Sequence, residues 1–116
     1  MKSYSTNYKM IEKTKYGAKI LRKPKIFKLT KRYFQWMEEN CLVIALSEET
    51  EFYNVMPLEI SKTRMEEEFI INLIKDYPHG NYPVSKEQLT LANKEETIKG
   101  LKQWKEWKKR AVLEAI

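Results

Sequence analysis

Cysteine, histidine and glycine are scarce in this 116-residue chain, which has one Cys, one His and three Gly. A single Cys41 excludes an internal disulfide framework, and with His79 alone beside it a structural zinc site lacks ligands. Glycine stands only at positions 17, 80 and 100, so there is no Gly-rich loop to cradle a phosphate. No apolar run approaches the ~18 residues of a membrane span. Met1-Lys2-Ser3-Tyr4 does not read as a secretory signal. Lys2 and the ending Leu113-Glu114-Ala115-Ile116 carry no lipidation signal. No nucleophile is paired with a base, so the chain reads as non-enzymatic, with no catalytic residue, no metal and no cofactor. Cys41 opens an apolar run and reads as a small buried hydrophobe. His79 reads as a solvated loop residue, and Glu48, Glu49 and Glu51 as a solvated hairpin tip.

What is present is a core and an uneven charge. Hydrophobic residues make up 42% and aromatics 12% of the chain, enough to exclude wholesale disorder. Residues 1–35 carry eleven basic groups and one acid, residues 36–78 three basic and ten acidic, and residues 79–116 eight basic and five acidic. A basic first third joined to an acidic middle gives a polar field able to attract an anion. A solvated Lys-rich surface is the plain alternative. Lys outnumbers Arg by 18 to 4. Lys acts on phosphate as a point charge, whereas base-edge reading prefers the Arg fork. Lipid headgroups, inositol phosphates and nucleic-acid backbones are therefore the favoured partners.

Along the chain there is no repeat, low-complexity tract or linker, and 1–15 reads as a flexible segment before one domain over 16–116. Ala18 to Arg22 reads as a strand ended by Pro24, followed by a basic loop from Lys23 to Lys28. Lys31 to Met37 is rich in aromatic strand formers, Glu38-Glu39-Asn40 reads as a turn and Cys41 to Leu46 as a buried strand. Ser47 to Thr50 turns again, and Phe52 to Ile60 reads as a strand with Pro57 at its edge or end. Arg64 to Tyr77 fits two patterns. Met65, Phe69, Ile70, Leu73, Ile74 and Tyr77 form a helical stripe, yet Phe69 to Ile74 is also a β-branched run of strand length. Gln88 to Ala92 alternates like a short strand. Asn93 with Glu96 makes a capping box for a final helix with Ile98, Leu101, Trp104, Ala111, Val112 and Ala115 in one stripe. Trp104 and Trp107 read as helix-to-barrel packing, with Trp107 at the stripe's edge.

The order of these pieces resembles a pleckstrin-homology (PH) domain of the phospholipase C style. Tyr16-Gly17-Ala18-Lys19-Ile20-Leu21-Arg22 looks like the family's first strand. Lys31 through Leu42 looks like its second strand, hairpin and third strand, and Leu89 through Glu96 with the helix behind it like its last strand and cap. The resemblance implies a mainly β fold with one C-terminal α-helix, a bent seven-stranded β-barrel capped by that helix, in which Phe69 to Ile74 is a strand. The alternative is an α+β meander with two helices. Two positions depart from the family pattern: Leu101 stands where the family usually has Trp, and Thr30 where its lipid-binding pattern has a basic residue.

The resemblance also implies a membrane-targeting module for acidic phospholipid headgroups, phosphatidic acid or phosphoinositides, working in signalling. Arg22 and Arg32 would stand at the barrel mouth, over an interior filled by Ile20, Phe34 and Trp36. Lys23, Lys25, Lys28 and Lys31 would ring that mouth from the β1–β2 loop, with Ile26 and Phe27 as membrane-insertion candidates at its tip or, equally, packed on the barrel. The expected setting is a cytoplasmic monomer, peripheral on the cytosolic leaflet. The rivals are a small nucleic-acid-binding protein and a PH-like domain that binds a protein partner.

Overall fold

The computed structural model describes residues 18–33, 37–59 and 66–115. Among them are five strands and two α-helices: β1 Lys19–Leu29, β2 Leu42–Glu48, β3 Phe52–Pro57, α1 Glu66–Asp76, β4 Tyr82–Ser85, β5 Leu89–Leu91 and α2 Lys94–Ala115. The strands form one antiparallel sheet in the order β4-β3-β2-β1-β5. A 3₁₀ turn over Lys86–Gln88 is the whole link between β4 and β5, the two edge strands.

That link forces the sheet to curl. In a flat sheet the edges would lie about 19 Å apart, four strand spacings of ~4.8 Å. Ser85 pairs with Phe52 and Leu89 with Leu29, at opposite ends of the strands, which lengthens the path further. Four residues reach at most ~14 Å even when fully extended. The sheet therefore coils into a half-barrel. The turn is fastened on both sides: Lys86 N donates to Glu51 O (3.0 Å) in the β2–β3 hairpin, and Thr30 N donates to Gln88 O (2.9 Å) just past β1. Phe27 on β1 and Tyr53 on β3 bring their rings to 5.0 Å although β2 lies between them, so the curl closes toward their face. Tyr33 seals that face by setting its ring edge-on to Tyr82 (6.1 Å) and donating its hydroxyl to Pro83 O (2.7 Å).

Register assigns the other face to the helices. Ile26, Ile44 and Met56 lie in one cross-strand row, and Ile26 touches Gly100 of α2. With one face under helices and the other inside the curl, Val43, Ile44 and Ala45 of β2 are fully buried, as an unbroken apolar run requires. Helix α2 begins at the predicted capping box. Asn93 N donates to Glu96 Oε1 (3.0 Å), and Glu96 N donates to Asn93 Oδ1 (2.8 Å). Its inward face is Gly100, Trp104, Trp107 and Ala111, leaving Ile98 and Val112 of the predicted stripe exposed. Trp107, expected at the stripe's edge, is buried.

Several expectations need correction. Pro24 does not end β1, because it sits in a bulge. The register passes from Ile20↔Ser47 directly to Lys25↔Ala45, so residues 21–24 oppose Leu46 alone and Pro24 has no ladder bond to lose. The basic loop from Lys23 to Lys28 is thus part of a strand, paired to β2 on one side and β5 on the other. Thr30 to Tyr33 is not strand, and Met37 makes only an isolated bridge. Phe69 to Ile74 is helix and not strand. Ile70, Ile71, Leu73 and Ile74 are buried and Asn72 is exposed, a helical face that alternation cannot produce. The described residues thus form a mixed α/β structure. The expectations placed on 1–17, Phe34, Trp36, Ile60 and Met65 lie outside the described residues.

Gly80 has φ 102°, and a Cβ there would stand 2.5 Å from Asn54 O on β3. Gly80→Ala is expected to lower the unfolding free energy by about 2 kcal/mol, from backbone strain plus this contact. Gly80→Asn, which tolerates positive φ, is expected to remain destabilised because the contact persists. Urea unfolding of both variants checks this, and a wild-type midpoint for Gly80→Asn would remove the contact as a cause.

Candidate anion-binding surface

The predicted cations fall on one strand and its flanks. Arg22 and Lys23 are exposed on the β1 bulge, where the extra residues loop away from the ladder. Lys25 is exposed and holds its ammonium 5.8 Å from the Tyr53 ring centre. Lys28 is half-buried and paired with Glu96 Oε2 at 3.1 Å. Lys31 and Arg32 are exposed past the end of β1.

This placement dissolves the expected cup. The chain does not reverse between Arg22 and Arg32. It runs on as strand to Leu29, and the hairpin closes later, with Leu29 N donating to Cys41 O (3.1 Å) and Asn40 N to Leu29 O (2.8 Å). The paired stretch from Lys25 to Leu29 alone is about 13 Å long at the strand rise. The two arginines therefore flank a strand, not a shared mouth. Ile26 and Phe27 are corrected as insertion candidates, being 2% and 8% exposed in the core. An inner strand buries both its faces, and each takes one of the two.

Ion pairs among the described residues shape the electrostatics. Lys86 binds Glu48 at 2.6 Å, Lys99 binds Glu59 at 3.3 Å, and Lys28 binds Glu96. Glu59 also accepts from Leu42 N (3.0 Å), tying the end of β2 to α2. The Lys86 hydrogen bond holds the Glu48 carboxyl below its ordinary range, with Lys86, Lys25 and Lys19 adding charge attraction. The Asn93 backbone N–H and then Lys28 do the same for Glu96. Burial, then Glu59, pushes the Cys41 thiol up to about 12, which makes it a poor nucleophile. Burial lowers the pKa of His79, whose carbonyl accepts from the buried Ser47 hydroxyl (2.7 Å). Of the acidic hairpin tip, Glu48 is held by Lys86 and Glu49 by Asn54 Nδ2 (3.2 Å). No group of metal-ligating side chains occurs among the described residues.

A second cationic surface escaped the sequence reading. Lys102, Lys105 and Lys109 lie on the face of α2 opposite Gly100 and Trp104, together with exposed Ile98, Val112 and Leu113. The three- and four-residue spacing of these lysines carries the signal, but Ile98 and Val112 beside them read from sequence as part of the core stripe. No helix among the described residues is long and apolar enough to cross a membrane. Comparison with protein-family models, with curated proteins and with solved structures gives no match.

Glu48 and Glu96 set an acid limit. A carboxyl whose pKa is depressed by folding stabilises the fold above its unfolded value, ordinarily 4.5, and that contribution disappears as pH falls through the depressed folded value. Melting temperature is expected to decline modestly as pH falls below about 6.5, where the lowered His79 pKa works against the fold, and to drop further below about pH 5. The double variant Glu48→Gln, Glu96→Gln is expected to melt lower at pH 7 and to lose less between pH 5 and pH 3. Parallel slopes for the two proteins in a thermal-melt series would remove these carboxyls as the cause.

Proposed function

We propose that this chain is a non-enzymatic module that docks reversibly on anionic phospholipid surfaces. The observation that carries the reading is the run from Lys19 to Arg32, which holds seven cations and no acid. Within it Arg22, Lys23 and Lys31 are exposed and form no ion pair with a described residue. Each Lys or Arg brought to an anionic membrane contributes about 1 kcal/mol. Several together suffice for reversible binding without a lipid anchor.

The arrangement favours a surface over a single headgroup. Charges spread along a strand, its bulge and its flank can each meet a separate phosphate, whereas recognition of one inositol phosphate isomer calls for converging donors. The departure at Thr30 points the same way. Binding therefore follows surface charge density, and phosphatidic acid, phosphatidylserine and phosphoinositides compete on charge. Such a module would reside on the cytosolic leaflet, the anionic face of cellular membranes.

Co-sedimentation with vesicles tests this. Phosphatidylcholine vesicles are expected to leave the protein in solution, and vesicles containing phosphatidylserine or phosphatidic acid are expected to pellet it, less so as salt rises. Arg22→Ala, Lys23→Ala and Lys31→Ala combined are expected to weaken binding on the order of 100-fold, from three contributions of about 1 kcal/mol. Retention of the wild-type protein in solution with every acidic vesicle at low salt would end the proposal.

A further inference from the structure

We infer that the outer face of α2 is a second contact surface for the same membrane, with its lysines on lipid phosphates and Ile98, Val112 and Leu113 in the headgroup–acyl boundary. This rests on the reading of the chain as a phospholipid-docking module. Helix α2 has 22 residues and is about 33 Å long at 1.5 Å per residue. Gly100, Trp104, Trp107 and Ala111 fix its inward side, since all four are buried. At 100° per residue, Ile98, Lys102, Lys109 and Leu113 project within about 30° of the opposite direction, with Lys105 about 50° and Val112 about 70° to one side. Ile98, Val112 and Leu113 are 58%, 62% and 61% exposed, so the fold leaves them uncovered.

Charge selects the occupant. Between Lys99 and Leu113 the helix carries six cations against one acid, Glu106. Lys99 is engaged by Glu59, and Lys108 and Arg110 lie over the rings of Trp104 and Trp107. Lys102, Lys105 and Lys109 form no ion pair with a described residue. A second copy of the same face would set lysines against lysines, so the partner must be anionic. A nucleic-acid backbone offers phosphates but nothing for three exposed aliphatic side chains at the ends of the face. A bilayer interface accepts both kinds, as it does for basic amphipathic helices lying in its plane. The helix is held rigidly to the cationic strand, with Lys28 gripping Glu96 in its first turn and Ile26 packing against Gly100 on its buried side.

Two triple variants of the full chain test the assignment on phosphatidylserine-containing vesicles: Lys102→Ala, Lys105→Ala, Lys109→Ala, and Ile98→Ser, Val112→Ser, Leu113→Ser. The substituted side chains are exposed, and melting temperature verifies that both variants fold. The lysine variant is expected to bind on the order of 100-fold more weakly and to show a flatter salt dependence. The aliphatic variant is expected to lose about tenfold and to come off at lower salt than the wild type. Wild-type affinity in both variants, with binding still lost in the Arg22, Lys23 and Lys31 variant, would overturn this inference while leaving the phospholipid reading intact. No vesicle binding by the wild type would overturn both. If a single-stranded oligonucleotide binds and only the lysine variant weakens it, the face belongs to nucleic acid and the inference fails.

Discussion

The three-residue passage from β4 to β5 is the constraint on which the architecture depends. The chain has to move from one edge of a five-stranded sheet to the other within Lys86–Gln88. It can do so only if the sheet coils until its edges approach. Coiling gives the sheet an inside, filled by Phe27, Tyr53, Val55 and Tyr82, and an outside large enough to seat α2. It also moves β1 off the edge, because β5 returns to pair with it. The distribution of charge along β1 follows from its being an inner strand.

An inner strand leaves few routes for charge. Seven cations in fourteen residues from Lys19 to Arg32 could not all stand in a two-sided core. The bulge resolves this by releasing residues 21–24 from the ladder, which turns Arg22 and Lys23 outward and gives Pro24 a position without a bonding obligation. Lys25 lays its stem toward Tyr53, and Lys28 reaches Glu96, so cations that stay in the ladder are individually accommodated. The remainder collect at the two ends of the strand, which is why the charge is distributed and not focused.

The parts of the fold that were legible in the sequence are those in which a local pattern is also the global answer. Cys41 to Leu46 reads as a buried strand because β2 is apolar on both faces, Glu38-Glu39-Asn40 as a turn because Asn40 adopts the positive φ it favours (70°), and Asn93 with Glu96 as a helix start because the box is made by those two residues alone. The misreadings share one cause. At Pro24, at Lys23 to Lys28 and at Phe69 to Ile74 the local text admits two structures, and the choice is made by partners distant in sequence. Pairing with Leu89 to Leu91 makes Lys28 a strand residue, and packing of α1 against α2 and β3 favours the helical stripe over the β-branched run. The short strand Tyr82–Ser85 was unreadable inside a Pro- and Gly-rich cluster, where Pro83 signals an edge only once the edge is known. The candidate site was half legible. Its cations were identified by type, but their convergence depended on a hairpin that the structure places after Leu29 instead of between Arg22 and Arg32.

The acidic middle of the chain bears on what these cations can do. Read as blocks, a basic first third and an acidic middle suggest mutual neutralisation. The fold pairs them otherwise: Glu48 goes to Lys86 and Glu59 to Lys99, both from the last third, while Lys28 of the first third takes Glu96. Solvent-accessible pairs of this kind contribute little to stability. Their larger effect is on the field, because each carboxylate committed elsewhere is one fewer to screen Arg22, Lys23 and Lys31. Glu48 still lies near enough to Lys19 and Lys25, which flank the bulge, to be drawn down by them, so its carboxylate screens that end of the strand and leaves the Lys31 end unscreened by it. The pairing pattern therefore leaves Arg22, Lys23 and Lys31 exposed without a carboxylate partner among the described residues, and an anionic surface can reach them without disturbing the core.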